Sequence, residues 1–378
     1  MKLAFDAEHE ALREEFRKPL ADVTLVSTLE WLGTREPMDR ALWARLGELG
    51  WLGTAVPGEY GGSGIEPVML CIQAEEIGRA LPPIPFLMSV CGYAVALELA
   101  GDADAKARWL PAAADGSAIG VLLTDDCWRQ TPRLARVGGE TTSIEGMAAN
   151  VPDGAAATAA MALVGTGDES AIVHIDLHEG AGARAANSLD LLHPCASFEF
   201  KRHPARVIAQ GARAGALWRQ VIDRYALLTA FEQVGAAAAA LEMARQYALQ
   251  RYAFGRPIAS FQGLKHTFAD LFAALDLARS NALYAAAALQ SAPEQLHEAA
   301  AVARISATEA FRRCARGAMQ THGALGVTWD SGCHLYYRRA QLLAGHPGTV
   351  DDWKDELMLG LLARRGAAKS ASAAGGAP

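Results

Sequence analysis

"RYAFGRPIASFQ", residues 251–262, joins two long helical patterns, and its reading decides the fold. Before it, Leu227, Phe231, Val234, Ala238 and Leu241 recur at spacings of four and three; after it, Leu264, Phe268, Leu271 and Leu275 do the same. Each set puts an apolar stripe on one face of a helix, so two long helices pack antiparallel in a bundle. The segment closes the first helix at Arg251, interrupts it with Gly255 and Pro257, and opens the second at Gln262. Arg251 beside Phe254 and the amide of Gln262 suits a ligand carrying a phosphate and an aromatic ring, because guanidinium pairs bidentately with phosphate oxygens. On spacing alone, the plainer reading is an inter-helix turn whose arginine caps helix carbonyls.

Working outward, the helical period holds from about 213 to 366. "GAAAAALEMA" and "LYAAAALQ" give small residues on helix faces, which permits close helix approach and large flat surfaces. Apolar faces on more than one side predict an oligomer. "MQTHGALGVTWD", 319–330, ends a helix with Gln320, Gly323 and Gly326, an arrangement of a simple C-cap or of backbone donors close to a ligand. The tail "AAKSASAAGGAP", 367–378, is small and polar and is expected to be disordered.

Toward the N-terminus the pattern changes twice. Residues 118–212 contain "AIGVLLTDD", "MALVGTG", "SAIVHIDLH" and "ASFEFKRHPARVIA", short alternating or β-branched runs bounded by Gly, Asp and Pro, which predict strands and hairpins. Residues 1–117 alternate helical patterns with short turns. There "VPGEYGGSG", 56–64, lacks the preceding strand and the GKS or GxGxxG order of a phosphate loop, so it reads as tight helix packing. The expected fold is mainly α with a central β domain: an N-terminal helical domain (1–117), a middle β-barrel or sheet domain (118–212) and a C-terminal four-helix bundle (213–366).

Composition narrows the function. A chain of 378 residues with 51% hydrophobic and 20% charged residues belongs with ordinary globular proteins. The net charge of −7 gives no basic footprint for nucleic acid. Six cysteines form no CxxC pair and no Cys/His cluster at metal-ligand spacing, so no metal is expected and the thiols fit a reducing compartment. No apolar run approaches the ~18 residues of a membrane span, and the charged N-terminus is unlike a signal peptide, so a cytoplasmic protein is expected.

Six stretches in order, "LWARLGELGWLGTAVPGEYGGSG", "EEIGRAL", "RYAFGRPIASFQGLKHTFADL", "QTHGALG", "YYRRA" and "PGT", resemble the acyl-CoA dehydrogenase family over nearly the whole chain. The resemblance implies FAD at a subunit interface, a bundle that tetramerises, and α,β-dehydrogenation of an acyl-CoA with electrons passed to an electron-transfer flavoprotein, as in fatty acid β-oxidation. A carboxylate in the family removes the substrate α proton. Arg251, Phe254 and Gly255 match its RxxFG motif, whose Arg and Phe reach FAD held mainly by a neighbouring subunit. Gln262 matches an assisting Gln, and Gln320 with Gly323 matches the segment near the adenosine side, with Ala324 replacing a second glycine.

The residues with which a subunit holds its own FAD match less well. Where the family has Thr-Glu-Pro-Gly-x-Gly-Ser-Asp, this chain has "TDDCWRQT", keeping Thr124 but losing the glycines and serine. "GMAANVPDG" stands where Trp-x-Thr is usual. The family's Glu-Gly-Thr base aligns with "PGT", so Pro347 takes the place of the Glu; the alternative Glu position on the preceding helix holds Tyr225. Neither can accept the proton. His346 and Asp223 are the substitutes to examine, while Asp351 occupies a usual cofactor-side Gln position. A positioned base is worth ~10²–10⁴ in rate.

Three readings follow. The chain is the non-catalytic partner of a Glu-bearing homologous subunit, of the paired kind known for steroid side-chain CoA esters in lipid or steroid catabolism, and lends its arm to that subunit's FAD. It is a self-sufficient homotetrameric dehydrogenase with a non-standard base. Or it is a flavin-free structural or CoA-binding member.

Overall fold

Polar side chains start most of the N-terminal helices. In the computed structural model, which describes residues 5–136, 142–178 and 181–374, the Asp6 carboxylate accepts from the backbone of Glu8 and His9 and begins α1 (Ala7–Arg17). Thr24 and Ser27 form a reciprocal capping box on α2 (Leu25–Leu32), and Asp39 caps α3 (Arg40–Glu48). The glycine-rich turn leads into α4 (Val68–Ala80). A π-helical stretch, Leu87–Ala94, then runs into α5 (Val95–Ala100), and Asp102 caps α6 (Ala103–Ala114).

The middle segment is one twisted sheet. Its strands are β1 (Gly120–Leu123), β2 (Trp128–Arg136), β3 (Thr142–Val151), β4 (Ala159–Val164), β5 (Ala171–Asp176), β6 (Arg184–Ala186) and β7 (Cys195–Gln210). The order is β1-β4-β5-β7-β3-β2, with β6 also on β7; β1 and β4 run parallel and the other pairs antiparallel. The four runs expected from sequence fall on β1, β4, β5 and β7. β2, β3 and β6 are additional, and β3 is hard to read because its register shifts between Ile144 and Gly146 and again before Val151. Such bulges break the alternation that marks a strand.

The helices return with α7 (Ala212–Gln250), followed by a two-residue-per-strand hairpin, β8 (Tyr252–Ala253) and β9 (Arg256–Pro257). Then come α8 (Gln262–Ser291), α9 (Leu296–His322), α10 (Cys333–Gly345) and α11 (Val350–Ala374). From Tyr225 to Ala237 every residue of α7 is buried, so this helix is the axis of the molecule, with an apolar surface all round. It crosses α4 without room for side chains: a Cβ on Gly235 would lie 1.8 Å from the Glu75 carbonyl oxygen, and one on Gly78 would lie 1.9 Å from that of Glu232. The glycine of "EEIGRAL" is therefore a packing requirement. Beside this crossing, Arg13 pairs with Glu75 and Glu76 at 2.8 Å each, and Arg279 pairs with Glu75 at 3.0 Å, tying α1 and α8 to α4.

One hydrophobic core runs from the N-terminal helices through the sheet into the bundle. The last helix continues to Ala374, into the segment, 367–378, expected to be a disordered tail. Residues 375–378 lie outside the described residues. No helix among the described residues is long and apolar enough to cross a membrane.

Candidate functional site

The loop after α10 is held by a buried cation. Arg304, 1% exposed on α9, donates to the carbonyls of Leu343 and His346, to Gln233 Oε1 and to Thr308 Oγ1. Burial lowers its pKa to about 10, against smaller opposing effects of Tyr225 and Asp126. Trp353 Nε1 donates to the Pro347 carbonyl at 2.7 Å, which fixes the other end of the loop. Four residues singled out from sequence meet here. Thr124 and Pro347 line one cavity of about 520 Å³ between β1, α7 and α11. The Tyr225 ring packs edge-on against His346, with centroids 5.7 Å apart, and its hydroxyl donates to Met88 Sδ at 2.8 Å.

The two substitute bases are both engaged. His346 Nδ1 lies 2.8 Å from Asp126 Oδ2. Burial alone would depress its pKa, but the Asp126 charge and hydrogen bond outweigh that and raise it to about 10. Burial likewise opposes ionisation of Asp126, whose pKa the His346 charge nevertheless brings down to about 2. His346 is thus engaged with Asp126 rather than standing free as a base for a substrate proton. Asp223 points away from the loop, toward α9, with Oδ1 2.8 Å from His297 Nδ1. Asp351 stands exposed on the first turn of α11 and pairs with Lys354 at 2.9 Å.

Behind the loop, where Pro152 and Asp153 of the sheet face Leu342 and Leu343 of α10, the interior is filled by charge. Arg339, 1% exposed, donates to Asp190, Glu232 and His193, and His193 Nδ1 lies 2.6 Å from Asp153 Oδ1. Burial opposes ionisation of Asp190, yet Arg339 and His193 keep its pKa below the usual carboxylate range. The space left among these groups, Tyr225 and His346 is about 10 Å³, room for at most one water. Pockets for ring-sized ligands occupy roughly 300–1,000 Å³. The space between the sheet and α10 is therefore too small for an isoalloxazine ring, whereas the cavity of about 520 Å³ lined by Thr124 and Pro347 is of ring size.

The far end of the bundle is open. Arg251 caps α7, its N–H donating to the Tyr247 carbonyl at 2.8 Å and its carbonyl accepting from Ile258 at 2.8 Å, while its side chain is exposed. Phe254 stands 95% exposed at the tip of the hairpin in a left-handed conformation, φ 52°, followed by Gly255 at φ 79°. A bulky residue at positive φ is strained, and strain of this kind concentrates at ligand-binding positions. Gln262 is exposed on the first turn of α8. Tyr247 stacks on His322 with centroids 4.1 Å apart, which brings the α9 terminus, with exposed Gln320 and Gly323, to the same end. Gln320 lines an open groove of about 520 Å³ with Arg313, Arg316 and Thr267. The five arm residues named from sequence are thus gathered at one end of the bundle, and Thr124, buried at 3% exposure, belongs to the interior region instead.

Several residues of the interior were not singled out from sequence: Asp126, His193, Asp190, Glu232, Arg304 and Arg339. "TDDCWRQT" carried a partial signal for Asp126, since a carboxylate stands where small residues are usual. Arg339 lies in the quoted stretch "YYRRA", but neither it nor Arg304 shows its burial locally, because a charge on a helix reads as solvated until its neighbours are known.

Comparison with known proteins follows the same division. Residues 6–117 match the profile "Acyl-CoA dehydrogenase, N-terminal domain" and residues 216–366 match "Acyl-CoA dehydrogenase, C-terminal domain". Acyl-CoA dehydrogenase IpdE2 of Mycobacterium tuberculosis is 33% identical over 80% of this chain and 80% of its own length. The mitochondrial short-chain specific acyl-CoA dehydrogenase of Mus musculus is 26% identical over 91% of this chain and 87% of its own. Among solved structures, a Tcur3481-Tcur3483 steroid ACAD variant superposes with a TM-score of 0.85 at 26% identity, covering 96% of this chain and 99% of that one. The ChsE4-ChsE5 complex of Mycobacterium tuberculosis shares the fold, with a TM-score of 0.87 at 23% identity over 96% and 99% of the two chains.

Proposed function

The chain belongs to the acyl-CoA dehydrogenase family, and from that membership we propose that it is the base-lacking subunit of a heteromeric, FAD-dependent acyl-CoA dehydrogenase. The family is FAD-binding and acts on acyl-CoA thioesters. In this reading a homologous, Glu-bearing subunit holds the flavin and removes the α proton, and an electron-transfer flavoprotein reoxidises the assembly. This chain supplies Arg251, Phe254, Gln262, Gln320 and Gly323 to the partner's FAD, with Arg251, Arg313 and Arg316 available as bidentate phosphate donors.

The observation that carries the reading is the contrast within one chain between a filled interior and an open arm. The Arg339 network leaves about 10 Å³ between sheet and α10, and Pro347 stands where a carboxylate would be needed. At the other end, Phe254 is held out at 95% exposure, edge-on to Phe261 with ring centroids 6.2 Å apart. Oligomerisation suits the surface of the bundle: Phe272 and Leu277 of α8, Val327, and Leu359 of α11 are each more than half exposed. Two structural relatives each named for a pair of proteins, the Tcur3481-Tcur3483 steroid ACAD and the ChsE4-ChsE5 complex, support a paired assembly, and the first supports a bulky or steroid acyl group as substrate class.

The test is desaturation of acyl-CoA thioesters by the chain alone, by a Glu-bearing homologue alone, and by both produced together. The expected result is turnover only for the pair, abolished by replacing the homologue's Glu. Turnover by the chain alone overturns the proposal.

A further inference from the structure

The contact between Asp126 and His346 includes a third group. Cys127 Sγ, Asp126 carboxylate oxygen and a His346 ring nitrogen lie within 4.8 Å of one another, and among the described residues this is the one such grouping of three. The residues come from opposite ends of the chain. Asp126 and Cys127 sit in the short turn Asp125–Cys127 that follows β1, where the Cys127 N–H donates to the Thr124 carbonyl at 2.9 Å. His346 sits in the loop whose carbonyl Arg304 holds at 2.9 Å. Both ligand-bearing segments are therefore fixed by contacts that do not use the three side chains.

A thiol, an imidazole and a carboxylate can form either a nucleophile relay or a metal site, and the distances decide between them. In a relay the carboxylate and the thiol lie at opposite ring nitrogens of the histidine. Here Asp126 Oδ2 is 2.8 Å from Nδ1 and only 4.0 Å from Cys127 Sγ, so all three groups face one corner. Tetrahedral zinc with Zn–N and Zn–O near 2.1 Å and Zn–S near 2.3 Å separates its ligand atoms by roughly 3.3–3.6 Å. The two edges that meet at Asp126 Oδ2, 2.8 and 4.0 Å, bracket that range, and a small side-chain rotation brings both into it. Cys127 and His346 are 3% and 4% exposed, while Asp126 is partly exposed and lines the cavity of about 520 Å³ with Asp125 and Gly348. That cavity gives an ion an entry path and room for a fourth, exchangeable ligand.

We propose that Asp126, Cys127 and His346 bind one zinc-type divalent cation, with the fourth position open to the cavity beside Pro347. Thiolate and imidazole together select zinc or a similar borderline-soft ion over magnesium and calcium, which prefer oxygen alone. Bound there, the ion joins the first strand of the sheet to the loop that carries Pro347. None of its ligands belongs to the arm, although Asp126 and Cys127 lie in the stretch that takes the place of the family's own-flavin segment, so the proposal rests on the reading that this chain holds no FAD there.

The experiment uses the full chain stripped of metal with a chelator and titrated with Co²⁺, whose bonds to thiolate give a charge-transfer absorption. The expected result is one equivalent of Co²⁺ bound with that band, displacement by Zn²⁺, loss of the band in Cys127→Ser, and at least tenfold weaker binding in His346→Gln. As a second measurement that needs no variant, Zn²⁺ is expected to slow alkylation of Cys127, read by peptide mass spectrometry, and to leave the other cysteines unaffected. Absence of the band in the wild-type chain, a band unchanged in Cys127→Ser, or alkylation of Cys127 indifferent to Zn²⁺ would each overturn the proposal and leave a simple Asp126–His346 ion pair.

Discussion

Arg339 and Arg251 are treated in opposite ways by the same fold. Arg339 lies at 1% exposure between sheet and bundle, with Asp190, Glu232 and His193 arranged around it. Arg251 has its backbone pinned on both sides and its guanidinium turned to solvent beside a strained, exposed Phe254. The first arginine is satisfied by its own chain; the second is ordered without being satisfied. Ordering a long side chain or a strained backbone costs free energy, so a region that is ordered and left open is shaped for something outside the chain. The charge network around Arg339, by the same logic, is complete without a ligand.

The largest expected effect is on the interior. Arg339→Met removes the guanidinium that pairs with both Asp190 and Glu232 and leaves these buried carboxylates without it, so unfolding in urea should show a loss of about 3–5 kcal/mol. Arg251→Met should change stability by no more than about 0.5 kcal/mol in the same measurement. Equal costs at the two sites would break the comparison.

The interior also carries a pH signature that the arm lacks. His174 of β5 stacks on Trp109 with centroids 3.9 Å apart and pairs with the Tyr93 hydroxyl at 2.8 Å. Burial lowers its pKa to about 4. The unfolded chain therefore takes up this proton first as pH falls: the contribution is intact above about pH 6.5, and falls as pH drops from there to about 4, by about 3 kcal/mol at most. His174→Gln should flatten stability across that window, whereas Arg251→Met should leave its slope unchanged.

Effects on the assembled enzyme come next. In the pair, Arg251→Ala should weaken FAD retention about 10- to 100-fold, the range that loss of a charge-assisted hydrogen bond of about 1.5–3 kcal/mol gives, read by flavin release on dilution. The smallest effect expected is that of Pro347→Glu. It returns a carboxylate to the loop but leaves the Arg339 network in place, so the chain alone should remain without turnover; activity from this single change would show that the interior is less closed than its packing implies.

How much of this was legible in the sequence follows from the range of the interactions involved. The helical thirds and four of the strands were carried by local periodicity, and the arm by the family resemblance of the run from Arg251 to Gln262, whose spacing alone reads as an inter-helix turn. β3 was obscured by the register shifts around Gly146. Within the interior, Pro347 and Tyr225 were visible because each stands in a recognisable motif. Arg339 with Asp190, and His346 with Asp126, join positions 149 and 220 residues apart. No spacing rule reaches that far, so a buried charge partner and a three-residue ligand set become apparent only once the chain is folded.

The most direct test of the central claim is a count of flavin per polypeptide. The chain is purified alone and with a Glu-bearing homologue, and FAD released by denaturation is compared with total protein. The expected result is none in the chain alone and one FAD for each pair of chains in the complex. One FAD per chain, in either preparation, would contradict the account.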